Sequence, residues 1–174
     1  PYTGRMAVVL PQGALFRGGV EGDIRRKLLE MDLIEAVIGL APNLFYGTGL
    51  AACILVLRRR KQPARAGQVL IGDASSLYRK ARAQNHLDAE HVATILGWVQ
   101  AFEDVEDRAR VVTVDEIQEE DWTLNISRYV LPPIGEDIPP LPEAISDFKA
   151  ALARVRQAEG QLAEVMAEGG WLDG

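Results

Sequence analysis

The sequence predicts an α/β fold: a mostly parallel sheet with an antiparallel hairpin strand at one edge, followed by a C-terminal helical extension. Three observations predict it. Apolar runs of strand length are interleaved with a segment of helical period near the start. The link between the second and third runs is too short to hold a crossover helix. Beyond a Pro-rich stretch, the apolar spacing changes to a 3.5-residue repeat.

Met6–Leu10 (MAVVL) is a continuous β-branched run and reads as a strand buried on both faces. Pro11, Gln12 and Gly13 end it, and Gly18-Gly19 reads as turn chemistry. Glu21–Met31 places Ile24, Leu28 and Met31 at helical spacing, with acids first and bases later, as the helix dipole prefers. Leu33–Leu40 (LIEAVIGL) is a second strand, completing a βαβ unit. Ala51–Leu57 (AACILVL) is a third, which the short link turns antiparallel to the second. Val69–Ile71 reads as a further short strand. Asp88–Phe102 reads as a helix with Val92, Ile95, Leu96 and Val99 as its stripe. Val111–Val114 is extended, 115–120 makes a turn of helix, and 121–130 is irregular. The expected organisation is one α/β unit over 1–130, a stiff Pro-rich linker over 131–142 and a helix over 143–174. From the linker onward Ile138, Leu141, Ile145, Phe148, Leu152, Val155, Leu162 and Met166 alternate by three and four, with Glu159 at one core position. A lone helix cannot hide such a stripe, which points to a partner outside the unit.

Composition narrows the chemistry. The net charge of −6 divides into +7 over residues 1–87 and −13 over 88–174, so a polyanion favours the first half. A single cysteine, Cys53, excludes a disulfide framework and reads as a small buried hydrophobe. No apolar stretch approaches the ~20 residues that span a bilayer, and the expected location is cytoplasmic, with no membrane partner. His86 and His91 are poorly spaced for one helix face and no carboxylate or thiol set joins them, so no metal is expected. Neither a Gly-x-Ser-x-Gly elbow nor a P-loop is present.

The remaining candidate is the loop Pro42-Asn43-Leu44-Phe45-Tyr46-Gly47-Thr48-Gly49. Two adjacent aromatics lie among turn residues, at a strand end where open α/β sheets build their sites. Phe45 and Tyr46 either pack locally or offer a stacking platform to a planar ligand such as an extruded nucleobase. The run Arg58-Arg59-Arg60-Lys61, with Arg65, Arg79, Lys80 and Arg82, would suit a phosphate backbone, or simply solvate a strand end.

The segments Gly4-Arg5-Met6-Ala7-Val8-Val9-Leu10-Pro11-Gln12-Gly13-Ala14-Leu15-Phe16, Ile24–Leu29, Leu33–Leu40, Asn43-Leu44-Phe45-Tyr46-Gly47-Thr48-Gly49 and Leu124-Asn125-Ile126-Ser127-Arg128-Tyr129-Val130 together resemble one family. It is the modification (M) subunit of type I restriction-modification systems, the DNA adenine-N6 methyltransferases. The resemblance covers most of 4–130 and extends more loosely to the tail. It implies the C-terminal part of a Rossmann-like S-adenosylmethionine-dependent methyltransferase sheet, with its last parallel strands and antiparallel hairpin strand. It assigns packing against the flipped adenine to Phe45, with Tyr46, Asn43 and Thr48 as weaker pocket candidates. It also implies DNA as a partner and the specificity (S) and restriction (R) subunits of the same system, with the tail helix docking on the specificity subunit. The Gly-rich cofactor motif and the Asn-Pro-Pro-Phe motif are absent from these residues. The fragment is therefore expected to hold no catalytic residue, to bind no S-adenosylmethionine alone and to be inactive alone, and its open sheet edge invites self-association. The alternatives are a non-catalytic module that assembles through the tail helix, and a free-standing domain for another planar ligand.

Overall fold

The computed structural model describes residues 3–131 and 139–169. The chain divides into two compact units, Pro1–Pro133 and Ile134–Gly174. The first holds β1 (Arg5–Pro11), α1 (Val20–Glu30), β2 (Ile34–Leu40), β3 (Ala52–Arg58), β4 (Gln68–Ala74), α2 (Ala89–Ala101), β5 (Ala109–Thr113) and α3 (Val114–Glu119). The second holds α4 (Leu141–Glu168).

The five strands form one sheet in the order β1-β3-β2-β4-β5. β3 is antiparallel to both β1 and β2, β2 and β4 are parallel, and β5 is antiparallel to β4. The hairpin strand is therefore not at an edge, as the sequence suggests, but inserted between the two strands of the βαβ unit. β1 and β2 still run the same way. The sheet is mixed, and β2–β4 is its one parallel pair among the described residues.

Alternation along the strands separates two cores. Ile34, Val37, Cys53, Leu55, Val69 and Ile71 face Leu29 of α1, Ile117 of α3 and the 124–130 segment. Ala36, Ile38, Leu40, Leu70 and Ala74 face Ile95 and Trp98 of α2, and Phe102 beyond it. β2 is buried throughout. Close approach explains two strand glycines: a Cβ on Gly39 would lie 2.5 Å from Ile126 Cδ1, and one on Gly72 would lie 3.0 Å from Ile38 Cδ1 and 3.5 Å from Trp98 Cε3.

Three apolar expectations change. β1 is mostly exposed, not buried on both faces, because it pairs with β3 alone at the sheet edge and Met6 and Val9 remain open. On α1 the buried residues are Arg25 and Leu29, while Ile24 and Met31 are exposed. The Arg25 guanidinium donates to the carbonyls of Trp122 (2.8 Å), Ala14 (3.0 Å) and Arg17 (3.0 Å), which ties the 12–19 connection and the segment after α3 to the helix. On α2 the core face runs through Ile95 and Trp98, and Val92 and Leu96 point outward.

A bulge between Ile34 and Ala36 sets Glu35 out of register with β3. Its buried carboxylate accepts from Arg58 at 2.8 Å and Arg65 at 3.3 Å. Cys53 is buried as expected, and desolvation pushes its thiol up to about 11. Replacing Glu35 with Ala leaves two largely buried guanidiniums without their shared counter-charge. The expected loss is about 3–5 kcal/mol of unfolding free energy, measured by urea denaturation.

In the second unit, α4 starts at Leu141, inside the stretch expected to be linker, with Pro142 in its first turn where a missing N–H costs nothing. None of its residues is buried, and Leu141, Ile145, Phe148, Leu152, Val155 and Leu162 are all exposed. Ile138, also in the expected stripe, lies outside the described residues.

Candidate nucleic-acid interface

Loops 41–51 and 75–88 both leave the carboxyl ends of the parallel pair β2–β4. Such strand ends are where open α/β sheets collect ligand-binding groups. In the first loop, Asn43 adopts a left-handed conformation (φ 57°), which asparagine tolerates better than most residues. Phe45 and Thr48 then bridge across Tyr46 and Gly47, and Gly47 takes φ 75° without a Cβ penalty. The Leu50 amide donates to Thr48 Oγ1 at 3.1 Å, closing the turn. The tip carries Phe45, 41% exposed, and Tyr46, 93% exposed.

The second loop clamps the first. Arg79 and His86 exchange backbone hydrogen bonds of 2.8 and 3.0 Å, which narrows the segment into a hairpin-like projection. From its return limb, the Asn85 amide donates to Asn43 O and the Asn85 Nδ2 to Pro42 O, both at 2.8 Å. Gln84 Nε2 donates to Leu44 O, and Asn43 Nδ2 donates to Ala83 O at 3.4 Å. Asn85 is buried, and Leu44, Leu77 and Leu87 join the core beneath. Three consecutive carbonyls before Phe45 are thus held by one neighbouring segment.

The base of the clamp is fixed electrostatically. Arg79 donates to both Asp88 oxygens, at 2.7 and 3.2 Å, and these hydrogen bonds hold the exposed Asp88 carboxyl below its ordinary pKa. Asp88 also caps α2, where His91 Nδ1 accepts from the Asp88 amide at 3.0 Å. His91 therefore closes a capping box, and no His/Cys/Asp/Glu group among the described residues could hold a metal ion.

Of the target-base candidates, Phe45 and Tyr46 present open rings, while Asn43 Nδ2 donates to Ala83 O and Thr48 Oγ1 accepts from the Leu50 amide. The basic run lies elsewhere. β3 carries the chain seven residues, about 20 Å, from the aromatic loop to Arg58. Arg58 pairs with Glu35, and Lys61, with its side chain 2% exposed, pairs with Asp32 at 2.5 Å and donates to Gln68 O at 2.6 Å. The Arg59 amide donates to Gly4 O at 3.0 Å. These groups secure the amino end of β2. Lys80 and Arg82 are exposed on the clamping segment between Arg79 and His86.

Gln84 and Asn85 escape a sequence reading because their partners lie about 40 positions away and no periodicity links them. The only sequence signal is a pair of amide side chains in an otherwise unpatterned loop. Asn85→Ala removes the donor to Pro42 O and leaves that carbonyl unsatisfied. It should cost about 1–3 kcal/mol locally and raise amide hydrogen exchange across 43–50 before that of β2 and β4, as read by mass spectrometry.

The sequence and the fold are similar to known proteins. Over 148 residues the chain is 36% identical to the type I restriction enzyme MjaVII methylase subunit of Methanocaldococcus jannaschii, covering 83% of this chain and 26% of that protein. Over 136 residues it is 33% identical to the HindI methylase subunit of Haemophilus influenzae, covering 74% of this chain and 30% of that one. The crystal structure of a type I restriction-modification methyltransferase subunit from Streptococcus thermophilus superposes with a TM-score of 0.68 at 39% identity, over 73% of this chain and 26% of that one. The chain thus spans about a quarter to a third of these relatives' length. The family model described as N-6 DNA Methylase matches residues 2–137, and with relatives of this identity the chain belongs to the N-6 DNA methylase family, among the methylase subunits of type I restriction enzymes.

Proposed function

We propose that these residues are the C-terminal portion of an adenine-N6 DNA methyltransferase subunit and supply its target-base platform and its subunit-docking helix. The single observation that supports the first role most directly is the open Phe45 ring on a loop clamped at the carboxyl ends of β2 and β4. An adenine extruded from the duplex would lay its face on Phe45, with Tyr46 closing over or beside it. Each base–aromatic stack is worth about 1–3 kcal/mol and is indifferent to the surrounding sequence. A rigid loop matters because methyl transfer is largely positioning: the amine must be held in line with the donated methyl group. Lys80 and Arg82 would neutralise phosphates flanking the extruded nucleotide.

S-adenosylmethionine is the methyl donor that family membership implies for the intact enzyme. The described residues are proposed not to build a cradle for it by themselves. The turn after β1 is Pro11-Gln12-Gly13, and a Cβ on Gly13 would fall against the Arg17 guanidinium instead of an open slot. No step of the transfer is assigned to these residues, and the chain alone is proposed to be inactive.

The second role rests on α4. Its apolar stripe is exposed along the whole helix, which a partner chain would cover. The specificity subunit is the proposed occupant, with DNA and the restriction subunit as the further partners of the assembly.

Two expected outcomes test the proposal in a full-length methylase subunit carrying these residues. Phe45→Ala should weaken capture of the extruded base by about 1–3 kcal/mol, read as reduced fluorescence enhancement of 2-aminopurine at the target position; unchanged enhancement removes the platform role. Leu152→Asp with Val155→Asp should abolish co-purification with the specificity subunit, and a surviving complex places the docking surface elsewhere.

A further inference from the structure

The turn after β1, the end of β4 and the 124–130 segment line an open cavity of about 290 Å³, at the small end of the range for ligand cavities. β1, β2 and β4 run the same way, and Gln12 follows β1 while Asp73 and Ser75 close β4. The cavity therefore lies at the carboxyl ends of these strands, where open α/β sheets bind ligands. Its walls approach each other over Gly39, where a Cβ would lie 2.5 Å from Ile126 Cδ1 and 3.4 Å from Gln12 Nε2. The Gln12 backbone amide donates to Ala51 O at 3.3 Å, which ties one wall to the end of the aromatic loop.

The polar groups here are of a consistent kind. Gln12 and Asn125 bring carboxamides, Ser75 and Ser127 bring hydroxyls, Asp73 brings a carboxylate, and Phe16, 53% exposed, adds a ring. The Ser75 amide donates to Asp73 Oδ1 at 2.8 Å, and Ser127 Oγ donates to Asn125 Oδ1 at 3.3 Å. Asp73 Oδ2, Asn125 Nδ2 and the Gln12 carboxamide have no partner among the described residues. Among those residues no Lys or Arg lines the cavity, so a phosphate would meet Asp73 with no cation to offset it.

We infer that this cavity is a nucleobase site selective for the amino edge of an unpaired cytosine or adenine. The inference rests on the nucleic-acid reading above and adds a base contact separate from Phe45. An exocyclic amine would donate to Asp73 Oδ2, as carboxylates accept from cytosine N4. The Gln12 and Asn125 carboxamides would meet the ring nitrogen beside that amine, and Phe16 would cover part of the ring. Thymine presents O4 where these bases carry the amine, so two oxygens would face each other with no proton between them. The orphaned partner of a target adenine is a thymine and is thereby rejected; the occupant is another base of the opened duplex.

The test compares two pyrimidines of equal size. In isothermal titration, a full-length methylase subunit carrying these residues should bind short single-stranded oligo-dC about tenfold more tightly than oligo-dT. Asp73→Asn keeps an oxygen for the Ser75 amide and turns the other position into a donor, so the preference should reverse toward oligo-dT. Gln12→Ala should weaken oligo-dC binding without reversing the order, and Phe45→Ala should leave the ratio unchanged. Equal affinities in the unaltered protein overturn the inference, and so does a dC preference that Asp73→Asn leaves in place. Where circular dichroism shows that Asp73→Asn fails to fold, Gln12→Ala decides, and unchanged oligo-dC affinity overturns the inference. A preference lost with Phe45→Ala but kept with Asp73→Asn assigns it to the aromatic loop, which overturns the inference and leaves the proposed function standing. The platform role itself is judged separately, by the 2-aminopurine measurement.

Discussion

The arrangement of the first unit depends on one constraint of chain length. The connection 41–51 is too short for a crossover helix, so β3 must return antiparallel to β2. Once it does, both of its edges are used, and β1 reaches the sheet only through it. The same short return leaves a tight projecting turn beside the end of β4, and there Phe45 and Tyr46 emerge. The strand that delivers the aromatics to one end of the sheet carries its four-cation run to the other.

That division of ends separates two kinds of positive charge. Arg58, Lys61 and Arg65 answer Glu35 and Asp32 and are absorbed into the architecture. Lys80 and Arg82 lie on the segment that grips the aromatic turn. Net charge over a stretch of sequence sums both kinds, and so overstates what a polyanion would meet at the 58–61 run.

Much of the element plan was legible in the residues. The strands at 34–40 and 52–58 are continuous apolar runs, α1 and α2 carry 3.6-residue spacing, and the direction of β3 follows from a loop length. What was not legible depends on which neighbour covers which face. MAVVL has the composition of a fully enclosed strand, yet β1 pairs on one side only. Val92 and Leu96 fit the α2 stripe as well as Trp98 does, yet they are exposed while the indole packs over Gly72. In the loop, adjacent aromatics marked the exposed tip, whereas its anchors at Gln84 and Asn85 follow no local pattern. Arg25 is similar: one of the bases along α1 with no pattern to distinguish it, it is a buried hub for three carbonyls.

The Glu35 bulge has a reach beyond its own strand. Arg65, held there by the shared carboxylate, donates to the Val99 and Gln100 carbonyls and lies 4.6 Å from the Phe102 ring centroid. Those carbonyls belong to the last turn of α2, which has no further helical amide to satisfy them. One irregular position in a β-strand thereby fastens the tail of a helix packed on the sheet. The end of α2 and the pairing of β2 with β3 are thereby coupled through one carboxylate.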